Sequence, residues 1–405
     1  MRTDDRDDHV CSACVADAAL KDLIESAAEE EECSFCGVTS NEAIAAPIEE
    51  LISHIRSCLY EEYDDPANCL GFCSADGGYL GETFDSDDLL WKIGLELPND
   101  HDGSLFGAIS KGLGDQLWCR RDPYGMSHNE ELSYSWQGFC ETIKHRRRFF
   151  FLHEQASRDL IAPADVLATI FEYAQNIGLV RTLPRARTKL FRARRQPPGE
   201  ILENALQLGP PPIGSAKQNR MSPAGIVMMY ASEDAATALA EIVDKEGTYT
   251  VGEFMTDRDA MILDLAELPE TPSIFEQVPD SMEYHPRQNL IFLHEIADEI
   301  SRPIARDDRV HVEYVPTQVV TEFIRTVATF DGRRIDGITY RSSRRTGKSS
   351  MVLFADQTNL VLPEDLRDDS YDLYKDRWIR LVVKHDYEIT NVSFDYDVNP
   401  VWRSP

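Results

Sequence analysis

The sequence contains no cysteine after Cys140, and all nine of its cysteines lie between Cys11 and that residue. An odd number of cysteines crowded into one part of the chain does not fit the paired framework of a disulfide-rich secreted protein. No stretch approaches the ~18 apolar residues of a membrane-spanning helix, and the segment from Met1 to Asp5 lacks the apolar part of a secretory signal. These absences predict a cytoplasmic protein without a membrane segment.

Positively charged residues are also scarce. The sequence has 41 Lys and Arg but 71 Asp and Glu, which gives a net charge of −30 and a pI near 4.7. Both parts of the chain are acidic: residues 1–150 hold 31 acidic against 12 basic residues, and the remainder holds 40 against 29. Such a surface repels nucleic-acid backbones and anionic lipid, so these partners are not expected. High solubility in a salt-rich cytoplasm or attraction of a basic partner would both explain the charge.

A chain of 405 residues exceeds what one hydrophobic core usually holds, so two domains are expected. Residues 1–180 are predicted to form a mainly helical domain that holds every cysteine, and residues 185–405 a second domain. A linker is predicted around Val180 to Arg187. Because no motif crosses that linker, the two domains are predicted to be separable.

Two CxxC pairs, Cys11 with Cys14 and Cys33 with Cys36, are separated by eighteen residues. Turns of this kind bring four thiolates around one tetrahedral Zn²⁺, and four Cys ligands leave no position for water or substrate. A structural zinc site is therefore predicted, with catalytic zinc and free or redox-active thiols as the less favoured alternatives. The residues between the pairs, from Asp17 to Glu32, are predicted to form one acidic helix.

Two weaker motifs follow in the same region. Cys69 and Cys73 could belong to a second metal site, but two thiols without partners nearby in sequence are more often ordinary cysteines. Arg148 and His153 have the loose spacing of an Arg–His ribonuclease pair, although a basic helix end before an apolar run explains them better. Apolar periodicity predicts helices in three ranges of this domain: Pro47 to Tyr60, Glu130 to Arg148 and Pro163 to Ile177.

The second domain centres on a strand that leads directly into a helix. Gly225 to Tyr230 is a short apolar run typical of a buried strand, and Ser232 is predicted to cap the following helix. Glu241 lies on this helix beside its apolar face, which predicts a carboxylate next to an apolar surface. Tyr230 ends the strand and is expected to face the same cleft.

Further elements are predicted on both sides of this unit. Lys189 to Ala193 is strand-like, so Arg192 and Arg194 should share one face of the strand. A helix is expected from Gln288 to Ile300, and another is expected to begin near Pro316. The remaining predicted strands are Thr248 to Met255, Ala260 to Leu265, Gly337 to Tyr340, Met351 to Ala355 and Trp378 to Val383.

The order and spacing of four segments resemble the RES-domain family. They are Leu190 to Arg194, Asn219 to Pro223, Tyr230 to Glu241, and Gly337 to Ser342. The resemblance implies an α+β protein whose second domain is a mixed β-sheet with flanking helices, similar to ADP-ribosyltransferases. The CxxC pairs and the segment from His145 to Phe150 likewise resemble the zinc-knuckle domain called the HEPN/RES N-terminal domain, which carries no established catalytic residues.

The RES resemblance also implies roles for individual residues. Arg192 would hold the pyrophosphate of NAD⁺, because a guanidinium fork suits a bidentate anion, and Arg220 would be a second anion contact. Tyr230 would stack on the nicotinamide or its ribose. Glu241 would stabilise the oxocarbenium-like sugar that forms when nicotinamide leaves. Ser342 would hydrogen-bond the substrate near this ribose, with Ser343 as the alternative.

The resulting prediction is a toxin or effector that degrades NAD⁺ by hydrolysis or phosphorolysis and so arrests growth. One alternative is a transferase that moves ADP-ribose onto a macromolecule. Another is an inactive RES fold that serves as a sensor or adaptor, although the presence of Arg192, Tyr230, Glu241 and Ser342 counts against it. Neither Ser342 nor Ser343 belongs to a recognisable triad, so serine-hydrolase chemistry is not expected. A separate antitoxin or a regulatory protein is a possible partner.

Overall fold

The computed structural model describes residues 8–75, 77–152, 160–276, 286–302, 310–363, 365, 376–390, 392–394 and 400–402. The chain divides into two compact units, one of Met1–Glu130 with Glu270–Asn289 and one of Glu131–Pro269 with Leu290–Pro405. The protein is α+β, as predicted, with helices in both units and a mixed nine-stranded sheet in the second. No helix in the described ranges combines the length and apolar character that crossing a membrane requires.

The first unit is mainly helical, with three short two-stranded ladders. The side chain of Asp17 caps the first helix by accepting from the Leu20 N–H at 3.1 Å. This helix is shorter than predicted, because residues 29–32 leave it and pair with residues 39–45 instead. The strands are β1 (His9–Cys11), β2 (Ala45–Pro47), β3 (Tyr63–Asp64), β4 (Phe72–Cys73), β5 (Gly78–Tyr79) and β6 (Cys119–Arg120), and the helices are α1 (Ala18–Ser26), α2 (Ile48–Glu62), α3 (Pro66–Cys69), α4 (Ser86–Lys92) and α5 (Ser104–Leu113).

The core of the first unit is built around α2, whose apolar face is buried as its sequence periodicity predicts. A segment distant in sequence completes this core. Ile274 and Phe275 are buried in it, and the Phe275 carbonyl oxygen lies 2.7 Å from His54 Nε2. Residues near 275 therefore belong structurally to the first unit, although residues on both sides of 270–289 belong to the second.

The second unit contains the large sheet and all or most of each remaining helix. Strands β12 (Thr329–Phe330) with β13 (Arg333–Arg334), and β18 (Val392–Phe394) with β19 (Pro400–Trp402), form separate small ladders. The helices are α6 (His128–Glu141), which continues as a π-helical turn over Thr142–Arg146, α7 (Pro163–Asn176), α8 (Ala205–Leu208), α9 (Ala235–Ile242), α10 (Pro286–Ser301), α11 (Val310–Glu313) and α12 (Val315–Thr326). The sheet strands are β7 (Val180–Leu183), β8 (Leu190–Arg195), β9 (Met229–Ser232), β10 (Gly247–Thr256), β11 (Ala260–Asp264), β14 (Gly337–Arg341), β15 (Ser349–Leu353), β16 (Leu360–Val361) and β17 (Ile379–Ile389).

The strand order is β16-β17-β10-β8-β9-β15-β14-β11-β7, with parallel pairing only in β11–β14 and β16–β17 among these strands. The predicted linker around Val180 to Arg187 is wrong at its start, because Val180–Leu183 forms the edge strand β7. Val180 pairs with Leu263 of β11, so this segment gains backbone hydrogen bonds that a linker would lack.

Both faces of the sheet are covered, and successive residues around β9 and in β15 alternate between two of the three apolar clusters that pack on it. Met228 and Val352 belong to one core, whereas their neighbours Met229 and Leu353 belong to the other. The first core also contains the buried faces of α6, α7, α10 and α12. Helices α6 and α7 thus share a core with the sheet of the second unit.

Candidate functional site

The strand-to-helix unit that the sequence singles out is present, but both its strand and its helix begin later in the sequence than predicted. Strand β9 starts at Met229 and includes Ser232, which pairs with Ser350 of β15. The N-cap of α9 is therefore Asp234, whose Oδ1 accepts from the Thr237 N–H at 2.6 Å. The prediction that Ser232 caps the helix is wrong, because sheet pairing keeps Ser232 extended.

The sheet separates locally beside this unit. Strands β8 and β9 are paired through one residue pair, Phe191 with Ser232. Beyond that pair, the Arg192 side chain takes the place of ladder hydrogen bonds: its Nη1 donates to the Tyr230 carbonyl at 2.5 Å and its Nε to the Gly209 carbonyl at 3.1 Å. Arg194 lies on the same face of β8, as predicted, and its Nη2 donates to the same Gly209 oxygen at 2.6 Å.

A cavity of about 490 Å³ opens where β8 and β9 diverge. It brings together Arg192, Arg220, Tyr230 and Glu241, which come from separate segments of the chain. Ser342 is buried behind Glu241, whereas Ser343 reaches the cavity wall. The other lining residues are Phe191, Ala193, Lys217, Gln218, Asn219, Ala231, Ser232, Ala238, Ile242, Tyr314, Tyr340, Arg344 and Ser350.

Glu241 is held in the cavity wall by hydroxyl groups. Ser342 Oγ donates to Glu241 Oε1 at 2.7 Å, and Ser350 Oγ makes a longer contact of 3.5 Å with the same oxygen. The Ser342 oxygen in turn accepts from the backbone N–H groups of Arg344 and Arg345 at 3.2 and 3.3 Å. Within the part of the chain that the structure describes, both hydrogen bonds to Glu241 go to Oε1, so Oε2 is the oxygen left available to a ligand in the cavity.

Two tyrosine hydroxyls of the site stay protonated at neutral pH. Burial raises the pKa of Tyr230 to about 12, although its hydroxyl lies 2.9 Å from Ser222 Oγ. Burial, followed by the charge of Glu241, raises the pKa of Tyr340 well above its ordinary value. Tyr340 and Tyr314 were missed as site residues by sequence reasoning. For Tyr340 a signal existed, since it stands two residues before Ser342 in a motif of the family resemblance.

The cavity is cationic in an acidic protein. Among the described residues, its lining contains one carboxylate, that of Glu241, and four cations, which are Lys217, Arg192, Arg220 and Arg344. Burial, followed by the nearby charge of Arg194, lowers the pKa of Arg192 to about 9, so its guanidinium still carries a charge at pH 7. A cavity with this charge attracts an anion and can place one carboxylate against it.

The first unit contains a separate candidate metal centre. The Sγ atom of Cys11 lies 3.7 Å from that of Cys14 and 3.6 Å from that of Cys36. The Sγ atoms of Cys14 and Cys33 are 3.7 Å apart. Four thiolates about 2.3 Å from one tetrahedral ion would be roughly 3.8 Å apart, so this cluster could hold a metal ion. Burial raises the pKa of the Cys33 thiol, but hydrogen bonds from the backbone N–H groups of Cys36, Phe35 and Cys11 to its sulfur outweigh burial, so the pKa is lowered overall.

The two weaker motifs gain no support as sites. Within the described ranges, the four-cysteine cluster is the one group of three or more potential metal ligands, so Cys69 and Cys73 belong to no second cluster. Instead, burial followed by interaction with Cys69 raises the pKa of Cys119 to about 11. Arg148 is exposed, and His153 lies outside the described residues.

Comparison with known families gives one match for each part of the chain. Residues 26–157 match HEPN/RES N-terminal domain 1, and residues 189–374 match the RES domain. No curated protein and no solved structure matches the chain. The RES match includes every residue of the cavity, whereas the other match begins after Cys11 and Cys14.

Proposed function

The chain belongs to the RES-domain family, with a HEPN/RES N-terminal domain ahead of its RES domain, and from this premise we propose that its cavity cleaves the nicotinamide–ribose bond of NAD⁺. The observation that carries the proposal is Glu241, a carboxylate held at 2.7 Å by the buried Ser342 in an otherwise cationic cavity. Cations suit the two phosphates of the dinucleotide. The Glu241 carboxylate suits the positive charge that develops on the ribose of the dinucleotide.

The reaction follows from these charges. When the glycosidic C–N bond breaks, its electron pair leaves with nicotinamide, which becomes neutral, and the ribose takes on oxocarbenium character. Glu241 stabilises that charge through its free oxygen Oε2. A water oxygen then bonds to the ribose carbon and gives up a proton, which completes ADP-ribose. The Tyr230 ring offers an aromatic face to the nicotinamide ring while that ring is still cationic.

The test is nicotinamide release from NAD⁺ by the purified full-length chain, followed by chromatography. Glu241→Gln preserves shape but loses the charge, so turnover should fall by roughly 100-fold or more while NAD⁺ still binds. Glu246→Gln removes a carboxylate from an exposed position outside the cavity and serves as the matched control. Wild-type turnover by folded Glu241→Gln would show that Glu241 is not catalytic.

The same assay identifies the acceptor. ADP-ribose as product indicates water, and a phosphorylated ADP-ribose formed when phosphate is present indicates phosphorolysis. Label from NAD⁺ found on protein or nucleic acid would favour the transferase alternative. Expression in a bacterial host should lower cytoplasmic NAD⁺ and stop growth, and Glu241→Gln should be tolerated. An antitoxin or a regulatory protein is a candidate partner that would restrain such an activity.

We also propose that the four-cysteine cluster binds a structural Zn²⁺. Cys11, Cys14, Cys33 and Cys36 would supply all four ligands, and the ion would stabilise the surrounding fold. No cysteine lines the cavity, so these residues take no part in the proposed cleavage.

A further inference from the structure

We infer that Lys217 and Arg220 form the phosphate subsite of the cavity, on a turn that Thr317 and Gln318 hold in place. The identity of the phosphate-bearing ligand rests on the proposed function, but the geometry of the subsite does not. Both cations line the cavity and lie three residues apart on the chain segment that precedes β9.

The turn is closed by its own backbone. The Asn219 N–H donates to the Ser222 carbonyl at 2.8 Å, and the Ser222 N–H donates to the Asn219 carbonyl at 3.3 Å. Arg220 stands within this closed turn, and Lys217 lies just before it. The backbone that carries Arg220 is thus fixed locally before any helix contacts it.

Helix α12 then fixes the turn relative to the sheet. Gln318 Nε2 donates to the Asn219 carbonyl at 2.8 Å and to the Ser222 carbonyl at 3.3 Å. Thr317 Oγ1 donates to the Arg220 carbonyl at 2.6 Å. Both side chains are buried, and a buried polar group that loses its partner is costly, so these contacts specify one position for the turn. Thr317 and Gln318 are therefore positioning residues.

The two cations have different freedom. One nitrogen of Arg220, Nη1, donates to the Ile300 carbonyl at 2.6 Å, which anchors the guanidinium. No second hydrogen bond of this guanidinium is made to the described residues, so Nη2 is left for a ligand. Lys217 is exposed and forms no ion pair within the described part of the chain. An anchored guanidinium gives directed hydrogen bonds to a phosphate, and a mobile ammonium adds a point charge.

Arg192 differs from both, because two of its three nitrogens, Nε and Nη1, already donate to protein carbonyls across the diverging strands. Its guanidinium stabilises the separation of β8 and β9 that creates the cavity. We therefore assign phosphate binding mainly to Lys217 and Arg220. The ADP-ribose affinities of Lys217, Arg220 and Arg192 variants distinguish this assignment from one in which Arg192 is the main phosphate anchor.

The experiment measures ligand binding by calorimetry in full-length Glu241→Gln protein, so that activity is not the readout. ADP-ribose carries both phosphates, and adenosine carries none. Adding Lys217→Gln should weaken ADP-ribose binding several-fold, and adding Arg220→Gln as well should bring the loss to about tenfold or more. Adenosine affinity should not change, and the salt dependence of ADP-ribose binding should decrease. Lys245→Gln, at an exposed lysine outside the cavity, is the control.

Unchanged ADP-ribose affinity in the double variant, or no ADP-ribose binding before these changes are made, would overturn the subsite. Weaker ADP-ribose binding with unchanged adenosine affinity in Arg192→Lys, together with unchanged ADP-ribose affinity in the double variant, would assign the phosphates to Arg192 instead. Because Lys217 is exposed, Lys217→Gln tests the inference even if Arg220→Gln lowers the melting temperature. If wild-type protein releases no nicotinamide but ADP-ribose affinity follows Lys217 and Arg220, the proposed reaction fails and the subsite stands. If NAD⁺ is cleaved but the affinity for ADP-ribose does not depend on Lys217 or Arg220, only the assignment of the subsite fails.

Discussion

At the scale of single residues, the site depends on how one carboxylate is held. Glu241 is on a short helix and Ser342 follows a strand, 101 residues later, yet their side chains are 2.7 Å apart. The Ser342 hydroxyl donates a hydrogen bond to Glu241, and its oxygen accepts from two backbone N–H groups. Of the two serines that the family resemblance offers, Ser342 therefore holds Glu241, whereas Ser343 lines the cavity, as Ser232 and Ser350 also do.

Ser342→Ala should lower turnover about tenfold with little change in NAD⁺ affinity, because Glu241 loses its shortest hydrogen bond but the cations remain. Steady-state kinetics with NAD⁺ measures both quantities. Ser343→Ala is the matched control one residue away and should affect turnover less. A larger loss in Ser343→Ala than in Ser342→Ala would transfer the catalytic contribution to Ser343.

At the scale of elements, the hairpin formed by β14 and β15 is tied to the start of α9. Arg345 Nη1 donates to Asp234 Oδ1 at 2.9 Å, the same oxygen that caps the helix, and to Thr237 Oγ1 at 3.2 Å. Lys348 pairs with Glu233 at 2.7 Å and makes a longer contact of 3.6 Å with Asp234. The hairpin and the helix carry Ser342 and Glu241, so these ties set the distance between them.

Arg345→Met should reduce turnover several-fold, because the hairpin loses its contact with the helix cap and Ser342 is less firmly placed. Lys348→Met removes a pair with Glu233 and only a longer contact with Asp234, and it leaves the Arg345 hydrogen bonds to Asp234 and Thr237 in place, so its turnover should fall less. The measurement is turnover together with the melting temperature. Equal turnover in the two variants would show that Arg345 does not help to position the site.

At the scale of the whole molecule, the two parts of the chain are interleaved in sequence. Residues 131–180 supply α6 and α7 to the core beneath the sheet, and Ile274 and Phe275 are buried in the core of the first unit. A cut at 181–187 would remove α6 and α7 from the core of the second unit. The C-terminal fragment would also carry Ile274 and Phe275 without the core of the first unit, in which both are buried. Separability at that position stays a prediction, but the packing argues against it.

A fragment of residues 185–405 should accordingly be less soluble and less stable than one of residues 131–405, because burial of α6 and α7 is worth ~25 cal/mol per Å² of apolar surface. Soluble yield and thermal melting followed by circular dichroism measure the difference. The longer fragment keeps the core of the second unit but still exposes Ile274 and Phe275. An equally stable and active shorter fragment would support the original boundary.

Metal analysis of the full-length protein should find about one zinc per chain, since four thiolates at these distances match tetrahedral coordination. Removal by a chelator should lower the melting temperature, because metal binding contributes directly to folding. Cys14→Ser should have the same effect, whereas Cys73→Ser, outside the cluster, should not. Protein purified without chelator that contains no zinc would contradict the proposal.

The sequence by itself determined the features that depend on neighbours along the chain. Periodicity located α2, α7 and the main strands, the two-residue strand repeat placed Arg192 with Arg194, and the CxxC spacing identified the four-cysteine cluster. Tertiary structure alone decided the features that depend on pairing across the sheet. Pairing with β15 kept Ser232 in its strand, pairing with β11 made an edge strand of the predicted linker, and the placement of β14 beside β15 brought Ser342 to Glu241. A local pattern limits the partners of a residue three or four positions away, but a hydrogen bond across 101 residues is set by strand order and register, which no local pattern contains.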